Sequence, residues 1–88
     1  MHGSCMFNAG NIHESDVMIE LLVDLLDRFL FFYQLMPQAV DVAYINAIVK
    51  KIHKHFTISS LPSTHPALVH FNQVKTHVAL KGWKDIQF

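Results

Sequence analysis

From Asp16 to Tyr33 the chain reads DVMIELLVDLLDRFLFFY, and only Asp16, Glu20, Asp24, Asp27 and Arg28 interrupt its apolar and aromatic side chains. Drawn as a helix of about 3.6 residues per turn, this stretch shows apolar groups on nearly every side. Its one narrow polar stripe is Glu20, Asp24, Asp27, Arg28 and Gln34. Such a helix needs cover over most of its circumference, and a single partner helix cannot supply it. The pattern therefore predicts a layered helical array with this element at the centre, packed on both flanks. Leu22, Leu25, Leu26, Phe29 and Phe32 are expected among its least exposed side chains.

The rest of the chain alternates helical periods with stop signals. Residues 1–12 show no sustained period and read as an irregular lead-in. Asn11 with Glu14 forms a capping-box-like pair and Ser15 is a second N-cap candidate, so the first helix should begin near residue 13 or 16 and end near 35. Pro37 stops it and suits the first turn of a second helix, making the two an antiparallel hairpin. In that second helix Val40, Tyr44, Ala47, Ile48 and Ile52 recur at helical spacing, with Ile45, Val49 and Phe56 widening the stripe. Thr57 to Thr64, TISSLPST, reads as a loop. Pro66 opens a third helix with Ala67, Phe71, Val74 and Val78 on its apolar side, and Gly82 is its C-cap. The expected class is all-α: an antiparallel helix hairpin plus a third helix over residues 13–82, then a tail, 83–88, that folds back on Trp83 or Phe88.

Composition changes this picture in one respect. In 88 residues, 51% are hydrophobic and 16% charged, an apolar content richer than a small, surface-dominated domain hides. The excess points to a piece of a larger assembly, to an obligate partner, or to self-association. A membrane span is not the answer, because Glu20, Asp24, Asp27 and Arg28 would lie inside it at about 2.5 to 3.5 kcal/mol each. The first fifteen residues carry no secretory signal pattern. The formal net charge is zero, but acids dominate the first half and lysines the second. The simplest reading is acids near helix starts and lysines near helix ends, where each suits the macrodipole. Cys5 is the single cysteine, which excludes an internal disulfide and fits a reducing compartment.

Candidate chemistry is sparse. Seven histidines invite a metal site, but His53 and His55 project to opposite sides of a helix, and His70 and His77 lie about 10.5 Å apart along one. No metal and no cofactor is expected. His77 to Gly82, HVALKG, resembles the phosphoacceptor signature of histidine phosphotransfer domains, with the histidine one residue early and so rotated by about 100°. Phosphate loops, nucleophile elbows and paired catalytic carboxylates are missing from the sequence pattern, and the chain reads as a non-enzyme.

Three segments carry a more extensive likeness. Leu25-Leu26-Asp27-Arg28-Phe29-Leu30-Phe31-Phe32-Tyr33, then Ala39-Val40 with Ile45-Asn46-Ala47-Ile48-Val49-Lys50-Lys51-Ile52, then His70-Phe71 with His77, follow in an order and spacing similar to the C-terminal end of the large α-solenoid subunit of retromer, the endosomal vacuolar protein sorting complex, or a close relative. The resemblance covers about residues 16–81. It departs from the family at Pro37 and in the closing WKDIQF. It implies a piece of a HEAT-like α-solenoid that acts as a cytoplasmic scaffold, peripheral on endosomes, and cradles the small phosphoesterase-like subunit. With helix geometry added, it implies a partner surface on the second and third helices, at Tyr44, Lys51, His55, His70 and Asn72. The alternatives are a free-standing helical adaptor that homodimerises and a histidine phosphotransfer domain.

Overall fold

The computed structural model describes the backbone of residues 4–88 and the side chains from Glu14 onward. The described residues form three α-helices and no strand: α1 (Ser4–Leu35), α2 (Val42–Phe56) and α3 (Pro66–Lys81), with a single 3-10 turn, Pro37–Ala39, between the first two. The protein is all-α, as its periodicity predicts. Ser15 of α1 faces His55 near the end of α2, and Phe29 faces Tyr44 near its start, so these helices are antiparallel. Glu20 faces His65 and Asp27 faces His70, so α3 runs parallel to α1. Helix α1 lies against both others, whereas α2 and α3 are held further apart and meet through the rings of His53, Phe56 and Phe71. Helix α1 is thus the shared partner of the other two, as expected, but both pack on the same half of it, and the expected cover over most of its circumference is not found: Val17, Leu21, Phe31 and Leu35 stay exposed.

Local chemistry sets most boundaries. The Asp41 carboxylate accepts from the Ala43 N–H at 3.0 Å and starts α2. His65 does the same for α3, its Nδ1 accepting from the Ala67 N–H at 3.1 Å, with Pro66 in the first turn. Gly82 ends α3 at φ 72°, the left-handed conformation that a side chain would strain.

Two boundaries differ from expectation. Helix α1 begins at Ser4 rather than at residue 13 or 16. Residues 4–12 contain no proline, and an isolated glycine or asparagine costs about 1 kcal/mol or less, too little to stop a helix anchored by the run that follows. Residues 1–3 of the expected lead-in, and any capping by the Asn11 side chain, lie outside the described residues. Ser15 is buried inside α1, where its Oγ lies 3.4 Å from His55 Nδ1. Pro37 opens the short 3-10 turn instead of α2, because Val40 is extended at φ −114° and Asp41 supplies the better cap.

The core consists of Ile19, Leu22, Val23, Leu26 and Leu30 of α1, Ile45, Ile48, Val49 and Ile52 of α2, Ala67, Phe71, Val74 and Val78 of α3, and Ile86 of the tail. Leu22 and Leu26 are buried as expected, but Leu25 and Phe32 are exposed and Phe29 is only half-buried. In α2 the buried stripe is rotated away from Tyr44 and Ala47 towards Ile45 and Val49. The tail does fold back. Its most buried residue is Ile86, with Trp83 and Phe88 packed beside the core. The Asn46 amide holds it there: Nδ2 donates to the Asp85 carbonyl at 3.0 Å, and Oδ1 accepts from the Gln87 N–H at 2.9 Å.

Leu26→Ala should cost about 2 to 5 kcal/mol in chemical denaturation, whereas Leu25→Ala should cost under about 1 kcal/mol. Equal losses would contradict the assignment of α1's buried side. Asn46→Ala should cost about 1 to 2 kcal/mol by removing two partly exposed hydrogen bonds, and should abolish hydrogen-exchange protection at the Gln87 amide.

Candidate protein-interaction surface

Helix α1 has two apolar sides and the fold covers one of them. Val17, Leu21, Leu25, Phe32 and Leu35 are between 37% and 59% exposed, on the side turned away from the core. Asp24 and Arg28 share that side and pair at 3.2 Å across one helical turn. The missed signal is the phase: in a helix that is apolar nearly all round, periodicity cannot say which half is buried.

Tyr44 stands at the border of this side. Its ring meets Phe29 edge-on at 5.2 Å, yet the residue is 55% exposed, so one edge of the ring is anchored and the rest faces outward. Lys51 is exposed and His55 is half-buried beside Ser15. Tyr44, Lys51 and His55 are seven and four residues apart on α2 and therefore share one edge of it.

The remaining two expected contacts do not join them. His70 and Asn72 are two apart on α3, a rotation of about 200°. The imidazole of His70 turns into the seam with α1, Nε2 lying 3.5 Å from Asp27 Oδ2. Asn72 is on the outer side of α3, beside Val69 and Thr76. The five residues predicted as one partner surface thus split into an α2 edge of three and two separate positions.

The seam between α1 and α3 is polar along its rim. Because His65 Nδ1 accepts the capping hydrogen bond, the proton of the neutral ring sits on Nε2, which points at Glu20 Oε1 at 3.7 Å. The acids of α1 thus include two that face α3's histidines, and α1 has no acidic residue in its first turn. The macrodipole reading of the charge asymmetry holds for the basic last turns of α2 and α3 and fails for α1.

Concavities are shallow. One depression of about 530 Å³ lies along the outer side of α3 alone, between Val69 and Leu80, and a groove of about 330 Å³ separates α3 from the tail at Trp83 and Phe88. Among the described residues, no three of His, Cys, Asp and Glu gather closely enough to hold a metal ion. None of the described helices is long and apolar enough to cross a membrane. His77 is exposed and rests edge-on against Trp83 at 5.7 Å. On the continuous α3, Lys81 is one turn away from His77, so the one-residue offset separates them less than the sequence comparison implies.

No protein-family model matches the chain, and comparison with curated proteins and with solved structures finds no match.

Incubation with acetyl phosphate should leave His77 unmodified by mass spectrometry under conditions that preserve acid-labile phosphate. Stoichiometric labelling would establish the phosphotransfer alternative.

Proposed function

We propose that the chain is a non-enzymatic scaffold segment, a helix hairpin with a third helix from an α-solenoid array, whose role is to hold a protein partner in an endosomal sorting complex of retromer type. The observation that carries this reading is the apolar surface left after the core is filled. Eleven large hydrophobic side chains remain exposed among the described residues, and the α1 members run along one side of a helix rather than scattering singly. Exposed apolar surface organised in this way marks contact with other proteins.

The more specific part of the proposal, the small phosphoesterase-like subunit as partner and a peripheral endosomal location, draws its support from the ordered likeness over residues 16–81. In this reading the α2 edge is the partner surface. Tyr44 is its anchor, since a tyrosine braced by Phe29 offers a large rigid area at low entropic cost. Lys51 adds charge, and His55 is tied to Ser15. A free-standing adaptor is the second reading, favoured by the same exposed side of α1.

Titration of the small phosphoesterase-like retromer subunit against the chain should give saturable binding, weakened at least about ten-fold by the double substitution Tyr44→Ala, Lys51→Glu, which corresponds to about 1.4 kcal/mol. Equal affinity would remove the α2 edge from the interface. No binding by the unmodified chain would reject this partner.

A further inference from the structure

The exposed side of α1 carries a heptad. Val17, Asp24 and Phe31 repeat every seven residues, and Leu21, Arg28 and Leu35 repeat every seven, four residues behind them. Together these six positions form the two alternating rows of a coiled-coil seam. The structure leaves the whole seam open: Val17, Leu21, Phe31 and Leu35 are 48% to 60% exposed, and the Asp24 and Arg28 side chains are 57% and 71% exposed. Leu25 and Phe32 flank it and are also exposed. The seam spans about 27 Å of helix at 1.5 Å per residue.

We propose that the occupant of this seam is a second copy of the same chain, its α1 lying antiparallel to the first. This rests on the reading of α1's outer side as an interaction surface and names its partner. Charge complementarity selects this occupant. In an antiparallel pair each row faces the other row of the partner helix, so placing Asp24 opposite Arg28 of the other copy also brings Val17 opposite Leu35 and Leu21 opposite Phe31. Each of these pairs is apolar on apolar. The central layer becomes a ring of two aspartates and two arginines of alternating sign.

The parallel arrangement sets Asp24 against Asp24 and Arg28 against Arg28, two repulsive contacts in the middle of the seam. A shift by one heptad in the antiparallel pair sets both Asp24 and Arg28 against apolar residues, leaving each charge without a partner. A polar layer at one heptad position fixes register and orientation in this way, at a cost in stability. The two-fold symmetry makes the contact isologous, so it closes at a dimer.

Sedimentation equilibrium at micromolar concentrations tests the pairing. The unmodified chain should dimerise reversibly. Asp24→Arg alone and Arg28→Asp alone each set like charges face to face and should weaken the dimer more than ten-fold. Both residues are exposed in the monomer, and unchanged circular dichroism would show that each variant folds. An equimolar mixture of the two variants, and the double exchange Asp24→Arg with Arg28→Asp, should return to the affinity of the unmodified chain.

A monomer at every concentration would overturn the proposal, as would single variants that dimerise normally. So would a mixture that binds more than ten-fold tighter than the unmodified chain, which is the signature of the parallel arrangement. The variant with Tyr44→Ala and Lys51→Glu should dimerise as the unmodified chain does. Loss of its dimer would place the contact on α2. The outcome is thus independent of the partner titration, which reads different side chains.

Discussion

The structure depends on the burial of one side of α1 between two helices that hardly touch each other. Ile19 and Leu26 are fully buried, and Val23 and Leu30 nearly so. Each such side chain contributes about 1.5 to 3 kcal/mol when removed from water. Helices α2 and α3 are spaced by aromatic rings, with Phe71 meeting His53, Phe56 and Phe88 at centroid distances of 5.2 to 5.5 Å. Neither would be placed without α1. The tail joins the same core through Ile86, and the paired hydrogen bonds of Asn46 on α2 hold the turn that carries it.

The elements were legible in the sequence because their ends carry chemistry that acts locally. Pro66, Gly82 and the serine- and threonine-rich break after α2 stand where the pattern put them. The start of α1 is not legible, because residues 1–12 show no sustained apolar period and the capping signals at Asn11 and Ser15 suggest a later start. What periodicity could not supply was phase. Leu25 and Leu26 are adjacent leucines in the same run, and one is exposed while the other is fully buried. Only the direction from which α2 and α3 arrive separates them, and that is a property of the assembled chain.

The candidate surface was partly legible for a related reason. Tyr44 falls both in the apolar stripe of the second helix and among the expected contacts, and its exposure leaves it available for contact. The resemblance and helix geometry put His70 on the same surface, but its ring turns to Asp27 on a different helix, an approach visible only in three dimensions. The heptad on α1 was hidden by abundance. When leucine, valine and phenylalanine occupy nearly every position, several periods fit at once, and the informative residues are the polar exceptions.

Those exceptions decide how the outer side of α1 is understood. An apolar seam with no charge in it would associate with many partners, in any register, and would be an aggregation hazard. Asp24 and Arg28 divide this one in two and neutralise each other at 3.2 Å while it is open. In the monomer the pair is exposed and contributes a few tenths of a kcal/mol, so stability of the free chain does not account for its position. Its larger effect is on what can be placed against α1, since a purely apolar helix would strip water from both charges without replacing it. A helix presenting the same two charges in reverse order would satisfy them. On the proposed pairing, selectivity resides in these two charged residues, while the leucines, valine and phenylalanines around them supply affinity.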